Sequence, residues 1–170
     1  STGKPLWSTE LGSRLAGAPA AGESFVAAPT EDGTVHVHGS KGELRFRMQQ
    51  AVSGAADLVV QSGSDGSVRL IAVSSVLKAL DPETGAVFAD YPEGAAKEVA
   101  RRFLDAMLEG ERVYSESEKA AVLGSETFPV EGSLFGEARL FGDRLVFSTE
   151  EGFIYSFDAV SLRPLSRYRA

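Results

Sequence analysis

The chain contains no cysteine, which excludes disulfides, thiolate catalysis and cysteine-ligated zinc or iron–sulfur centres while leaving the compartment open. Histidine is nearly as scarce, with two residues, and tryptophan occurs once. Basic residues are outnumbered, 17 Lys and Arg against 24 Asp and Glu, for a formal charge of −7. That balance offers no basic field to release counterions from a phosphate backbone, so nucleic acid is not an expected partner. No apolar run approaches the roughly 20 residues of a membrane-crossing helix. The N-terminal STGKPLWSTE lacks both the charged and the apolar region of a secretory signal. Phosphate-cradling G-x-x-x-x-G-K-[ST] and the G-x-S-x-G nucleophile elbow are also missing.

What remains is a globular composition: 170 residues, 43% hydrophobic and 24% charged, which fits a single domain over 1–170 and excludes disorder. Eighteen glycines stand as punctuation between short alternating runs, the grammar of many short strands joined by tight turns, so the fold class is mainly β. FVAAPTEDGTVHVHG sets Phe25 to Pro29 before an Asp32-Gly33 turn and Val35 to His38 after it, because glycine supplies the positive φ of a hairpin turn. Leu58 to Gln61 and Val68 to Val73 flank Asp65-Gly66 in the same way, and Leu145 to Ser148 and Phe153 to Phe157 flank Glu151-Gly152. Each hairpin continues into a polar turn and a further short strand, so the three read as repeats. Their turn glycines at 33, 66 and 152 approximate one and then two units of the ~40–50-residue period of propeller blades. One unit in the middle is therefore expected to be missing or disguised.

The pattern changes between Gly94 and Glu126. AAKEVARRFLDAMLEGE places Val99, Phe103, Ala106 and Met107 at i, i+4, i+7 and i+8 with charges opposite, which predicts an amphipathic helix over 95–109 ending near Gly110. Ser115 and Glu118 form a capping box ahead of Lys119 to Leu123, with Gly124 as the stop, which predicts a second, shorter helix. A helical insertion at 94–126 is thus expected within the β domain. Its apolar stripe either docks on a sheet or faces a partner.

TGKPLW at Thr2 to Trp7 precedes the first hairpin, and LKALDPETGAVF spans Leu77 to Phe88, with Leu80-Asp81-Pro82-Glu83-Thr84-Gly85 carrying the turn. IYSFDAVSLRPLSRY at 154–168 repeats it with Asp158 in the place of Asp81 and Ser161-Leu162 in place of the Thr-Gly. Together these resemble the repeats of the pyrroloquinoline-quinone-type, or quinoprotein-like, β-propeller family. In that family a strand ending in Asp leads through such a turn to the next outer strand, which often ends in Trp. Only the first unit here has the Trp, and the second has Phe88-Ala89 instead. The resemblance implies antiparallel propeller-like blades, three or four of them. That count falls short of the closed rings of the family and leaves apolar blade faces to be covered. Three arrangements answer it: the chain is part of a longer propeller, two copies complete one ring, or the insertion caps an incomplete stack.

Candidate chemistry is thin. His36 and His38 form an H-x-H on one strand face and are weak metal-ligand candidates, but no third ligand can be assigned, and alternation with Val35 and Val37 points them to solvent. Acidic residues at turn tips, among them Asp32, Asp65 and Glu151, are favoured there by turn chemistry alone. Arg163 to Arg169 reads as an edge strand whose charges discourage edge-to-edge pairing. No catalytic residue and no cofactor is assigned. The family's quinone needs a full ring with an acidic Ca²⁺ site, which a chain of this length does not supply. The resemblance also extends to the propeller lipoprotein of the bacterial outer-membrane assembly machinery and to sensor propellers on membrane kinases. It therefore implies a non-enzymatic scaffold that binds another protein or a second copy of itself, at an extracytoplasmic or periplasmic bacterial address. Expected contacts are Val99, Phe103 and Met107 on the helix and Asp32, Asp65 and Glu151 at the tips. The alternative is a fragment or small relative of a quinoprotein or sugar-active propeller enzyme.

Overall fold

Alternating and near-continuous apolar runs between glycine turns give strands too short to stand alone, and they assemble into sheets. The computed structural model describes residues 4–49, 51–63, 66–91 and 130–170, and among these are twelve strands in three four-stranded antiparallel sheets. The first sheet holds β1 (Ala20–Ala21), β2 (Phe25–Pro29), β3 (Val35–Gly39) and β4 (Leu44–Met48). The second holds β5 (Asp57–Ser62), β6 (Val68–Val73), β7 (Leu77–Leu80) and β8 (Val87–Tyr91). The third holds β9 (Leu134–Phe141), β10 (Arg144–Thr149), β11 (Phe153–Asp158) and β12 (Pro164–Arg169). Every sheet is a meander in chain order, the arrangement that short connections favour. Both predicted helices at 94–126, with Val99, Phe103 and Met107, lie outside the described residues.

The sheets stack face to face in chain order, with β5 packing against β1 and β2 on one side and β9 on the other. Because side chains alternate across a strand, β6 and β7 feed two cores at once. Leu70, Ala72 and Leu80 join Val35, Val37 and Phe25 of the first sheet, while Ile71, Val73, Leu77 and Ala79 join Leu145, Phe147, Tyr155 and Phe157 of the third. Phe157 meets Tyr91 edge-on at 5.0 Å and stacks on Phe147 at 5.7 Å, contacts that add to the area they bury. The Asp57 carboxylate accepts the Ala138 amide at 2.8 Å, tying second sheet to third.

All three predicted hairpins form, yet they are not equivalent units. Asp32-Gly33 and Glu151-Gly152 join the second strand of a sheet to its third, whereas Gly66 lies between the first strand of its sheet and the second. The periodicity taken from those glycines therefore mixed two kinds of turn. The turns after the equivalent third strands open at Gly39, at Asp81 and at Asp158, so one repeat separates the first two and the extra length of the second interval falls between Tyr91 and Leu134. The middle unit expected to be missing or disguised falls within 92–129, outside the described residues.

The turn between third and fourth strands follows one plan. Asp81 N donates to Ala86 O and Gly85 N to Asp81 O, both at 2.8 Å; Asp158 N donates to Arg163 O at 2.8 Å and Leu162 N to Asp158 O at 2.9 Å. Leu162 thus takes the place of Gly85, and both have positive φ, 54° and 77°. A Cβ on Gly85 would lie 3.1 Å from the Phe46 ring of the sheet before it. Ala89, not an aromatic, holds the register of Phe46 on the second sheet, opposite Ala79 as Phe46 is opposite Val37. Where Phe46 lies over Gly85 at one junction, the next has Ala89 and a Leu162 that is 1% exposed, both packed in the core those sheets share.

That shared core predicts a non-additive cycle. Leu162→Gly removes a buried side chain, a loss of roughly 2–5 kcal/mol, less ~1–2 kcal/mol of relieved left-handed strain. Ala89→Phe overpacks by about 1–3 kcal/mol. The double variant is expected to lose less than the sum in urea melts, and strict additivity would show that the two sites do not share one space.

Candidate functional site

Meander connectivity divides the predicted tips between two ends of the stack. Turns 30–34 and 150–152 lie at the end where second strands meet third, and Gly63 and Gly66 lie at the other with the Asp81 and Asp158 turns. Asp32 and Glu151 are both exposed at the first end, and Asp65 lies outside the described residues. The Asp32 carboxylate is engaged by its own turn. Its Oδ1 accepts Thr30 Oγ1 at 2.7 Å and the Thr34 amide at 3.1 Å, and the Thr30 bond foremost holds its pKa below the ordinary 3.8.

At the opposite end the same chemistry recurs. Asp81 Oδ1 accepts the Glu83 amide at 2.7 Å and the Thr84 amide at 3.3 Å, and Asp158 Oδ1 accepts Ser161 Oγ and N, each at 2.7 Å, and Val160 N at 3.2 Å. Both carboxyls are held below 3.8, Asp81 chiefly by the Glu83 amide and Asp158 chiefly by the Ser161 hydroxyl. Beside them an open cleft of about 550 Å³ separates the second and third sheets, lined by Gln61, Ser62, Ser67, Arg69 and Asp143 among others. Arg69 spans it, donating to Val160 O at 3.2 Å and lying 5.4 Å over the Phe88 ring. Sequence reasoning missed this cleft because its residues are far apart in the chain and belong to no motif.

His36 and His38 share a face of β3, as the H-x-H spacing requires, but that face is not open to solvent. They are 3% and 6% exposed, because the strand sits inside its sheet and Trp7 lies on it. The Trp7 ring stacks on His38 at 5.8 Å, its Nε1 donates to Ser40 O at 3.1 Å, and a Cβ on Gly42 would fall 2.8 Å from the ring. His38 Nδ1 bonds Gly42 O at 3.2 Å, while neither ring nitrogen of His36 has a hydrogen-bond partner. Burial foremost, with the neighbouring Arg47 charge, pushes the His36 pKa below 6.5 against the opposing pull of Asp32. Among the described residues no three His, Asp or Glu gather as a metal site, and two imidazoles alone do not complete one.

The other end of the stack is unlike this. On the outer face of the third sheet Phe135, Ser148, Ile154 and Tyr168 form one row across β9 to β12. Phe135, Ile154 and Tyr168 are 63%, 42% and 66% exposed. Beside the row a shallow depression of about 320 Å³ is bounded by Phe135, Ile154, Phe153 and Glu150. The alternation Ile154-Tyr155-Ser156-Phe157 shows a two-faced strand in the sequence, but not which face the stack leaves uncovered.

No protein-family model and no curated protein matches the chain. Solved structures do. The chain is similar to BamB from Moraxella catarrhalis, with 16% identity and a TM-score of 0.57 over 95% of this chain and 38% of that one. It is similar to the computationally designed Ika4 protein, with 13% identity and a TM-score of 0.61 over 98% and 80% of the two chains. It is also similar to the quinohemoprotein alcohol dehydrogenase ADHIIG from Pseudomonas putida HK5, with 12% identity and a TM-score of 0.53 over 90% and 20%. These similarities show the fold alone, a propeller-like succession of three four-stranded sheets, and the chain spans well under half of the first and last of those proteins.

Two pH dependences follow from the site. The pKa of His36 is lower folded than unfolded, so between the two values the unfolded chain binds more protons and stability rises with pH. Melting temperature is expected to fall as pH drops through 6.5, and His36→Gln to flatten that limb; an unchanged slope would place the titration elsewhere. The Asp158 carboxyl is likewise depressed, so its contribution is complete above 3.8 and is lost as pH falls through its lower folded value. Asp158→Asn is expected to lower stability at neutral pH and to narrow the gap from wild type in acid, read from urea midpoints at pH 7 and pH 3.

Proposed function

We propose that the chain is a non-enzymatic protein–protein interaction or assembly module of the quinoprotein-propeller type, working at an extracytoplasmic address. The observation that carries this reading is the outer face of the third sheet, where Phe135, Ile154 and Tyr168 stand exposed on a paired, regular surface. Contiguous exposed apolar groups of that kind mark association sites. The end turns support the same role: Asp32, Asp81 and Asp158 spend their carboxylates on backbone and hydroxyl bonds that stiffen the loops, and stiff loops lose little entropy on binding. Similarity to BamB and to a quinohemoprotein dehydrogenase is compatible with an extracytoplasmic setting.

The second reading, a part or small relative of a quinoprotein or sugar-active propeller enzyme, has the cleft at Gln61, Arg69 and Asp143 in its favour. It pairs one cation and one carboxylate with a buried Gln61 whose Oε1 has no hydrogen-bond partner. The two readings separate on ligand uptake. The purified chain is incubated with pyrroloquinoline quinone and Ca²⁺, passed over a desalting column, and measured for quinone absorbance and bound calcium. Retention of neither is the expected result. Stoichiometric retention of both, lost in Gln61→Ala or Arg69→Ala, would favour the enzyme reading.

A further inference from the structure

We infer that the exposed outer face of β9–β12 receives the outer face of β1–β4 from a second copy of this chain, with Trp7 of one copy seated against Ile154, Tyr168 and Ser166 of the other. The inference rests on the assembly reading above and names the partner. It comes from the junctions already present within one chain, which repeat a single pattern. Each sheet offers its successor one cross-strand pair, four residues ahead of the residue that opens the turn between third and fourth strands. The pair is Val35–Met48 on the first sheet, Leu77–Tyr91 on the second and Ile154–Tyr168 on the third. Each successor presents a side chain one residue ahead of its own turn opener: Leu80 toward the first sheet and Phe157 toward the second, the latter edge-on to Tyr91. Leu77 and Tyr91 are buried by that contact, at 0% and 6%, whereas Ile154 and Tyr168 at the same register are 42% and 66% exposed.

The register residue on the first sheet is His38, and over it lies Trp7. Trp7 stands toward Gly42 as Phe46 stands toward Gly85: a ring that the preceding sheet supplies at one junction is supplied at this end by the chain's own N-terminal segment. A second copy docking here therefore brings its own ring, and the receiving sheet must not bring another. At the register of Phe46 the third sheet has Ser166, opposite Ser156, so the space that Phe46 fills between the first two sheets is left for Trp7. The aliphatic–tyrosine pair and the small residues beside it thus match a surface that this chain carries at its other end. A head-to-tail contact of this kind yields a closed dimer where the rotation allows and an open array where it does not, with the same interface in both.

Static light scattering on the full chain from about 1 to about 200 µM reads this directly. Wild type is expected to rise above the single-chain mass, and the emission of its one tryptophan to shift to shorter wavelength over the same range. Ser166→Arg, which fills the receiving space, and Trp7→Ala, which removes the ring, are each expected to weaken association by at least about tenfold. Ser166→Arg leaves the circular dichroism and melting temperature as they were. Ile154→Asp gives the same result from a neighbouring position. A single-chain mass throughout, or association that Ser166→Arg and Trp7→Ala both leave unchanged in folded protein, overturns the inference. Either of those results leaves the assembly reading standing, since that reading fails on quinone and calcium retention and not on mass.

Discussion

The middle sheet has two apolar faces, and each is covered by a neighbouring sheet: the rest of the structure follows from that constraint. An antiparallel sheet more often buries one face and wets the other, giving clean alternation along its strands. Here Val68–Val73 reads VRLIAV, with Leu70, Ile71, Ala72 and Val73 all buried, because Leu70 and Ala72 serve one core and Ile71 and Val73 the other. At ~25 cal/mol per Å² of apolar surface removed from water, the middle sheet gains from both neighbours and is the element on which the other two depend. A one-residue slip in any of its strands would exchange the side chains between the two cores. The paired turns at Asp81 and Asp158, each fixed by one carboxylate oxygen accepting successive groups, hold the third strand against the fourth and oppose such a slip.

The junctions are similar without being identical, and the difference lies in how volume is shared. Close packing requires only that the summed volume across an interface fill the space. Phe46 lies over Gly85 at one junction, while Ala89 and Leu162 pack in the core of the next. Leu162 accepts a left-handed backbone, φ 54°, which a non-glycine residue adopts at a cost of ~1–2 kcal/mol; burial of its side chain offsets that cost. Position 162 therefore departs from the turn of the second sheet, with Leu in the left-handed conformation where Gly85 stands.

Much of this was legible in the sequence, for identifiable reasons. Glycine turns bounded by alternating β-branched residues gave Phe25–Pro29, Val35–Gly39, Val68–Val73 and Phe153–Asp158 within a residue at each end, since backbone sterics at the turns are local. The Asp that closes the third strand marked Asp81 and Asp158 as equivalent, and the backbone bonds agree. What failed was phase. Asp-Gly at 65–66 looks in the sequence like Asp-Gly at 32–33, but Gly33 joins the second strand of its sheet to the third while Gly66 lies between the first and second of its own, and local turn chemistry carries no information about position within a sheet. The histidines were misread for a related reason. An H-x-H alternating with valines has a polar face, but whether that face meets water or Trp7 from the N-terminal segment is a tertiary matter. The cleft at Gln61, Arg69 and Asp143 and the row Phe135–Ile154–Tyr168 join residues from separate strands, and single-sequence patterns do not record such joins.

Repeat stacks are quasi-one-dimensional, so their ends must differ from their middle, and a terminal unit ordinarily turns a polar face outward. The two ends of this stack answer that demand differently. At the first sheet the outer face is tucked under Trp7 and carries His36 and His38 where the corresponding inner positions of the third sheet carry Tyr155 and Phe157. Buried imidazoles with nitrogens lacking hydrogen-bond partners cost free energy that an aliphatic core would not. A capped end therefore resists adding a further sheet by simple hydrophobic burial, and offers a ring with polar edges in its place. At the third sheet no such substitution has been made: Ile154 and Tyr168 retain the character of Leu77 and Tyr91, the pair that an adjoining sheet buries one repeat earlier. The outer face of the first sheet is thus covered by a ring from its own chain, while that of the third keeps the character of a face that a neighbouring sheet buries one repeat earlier.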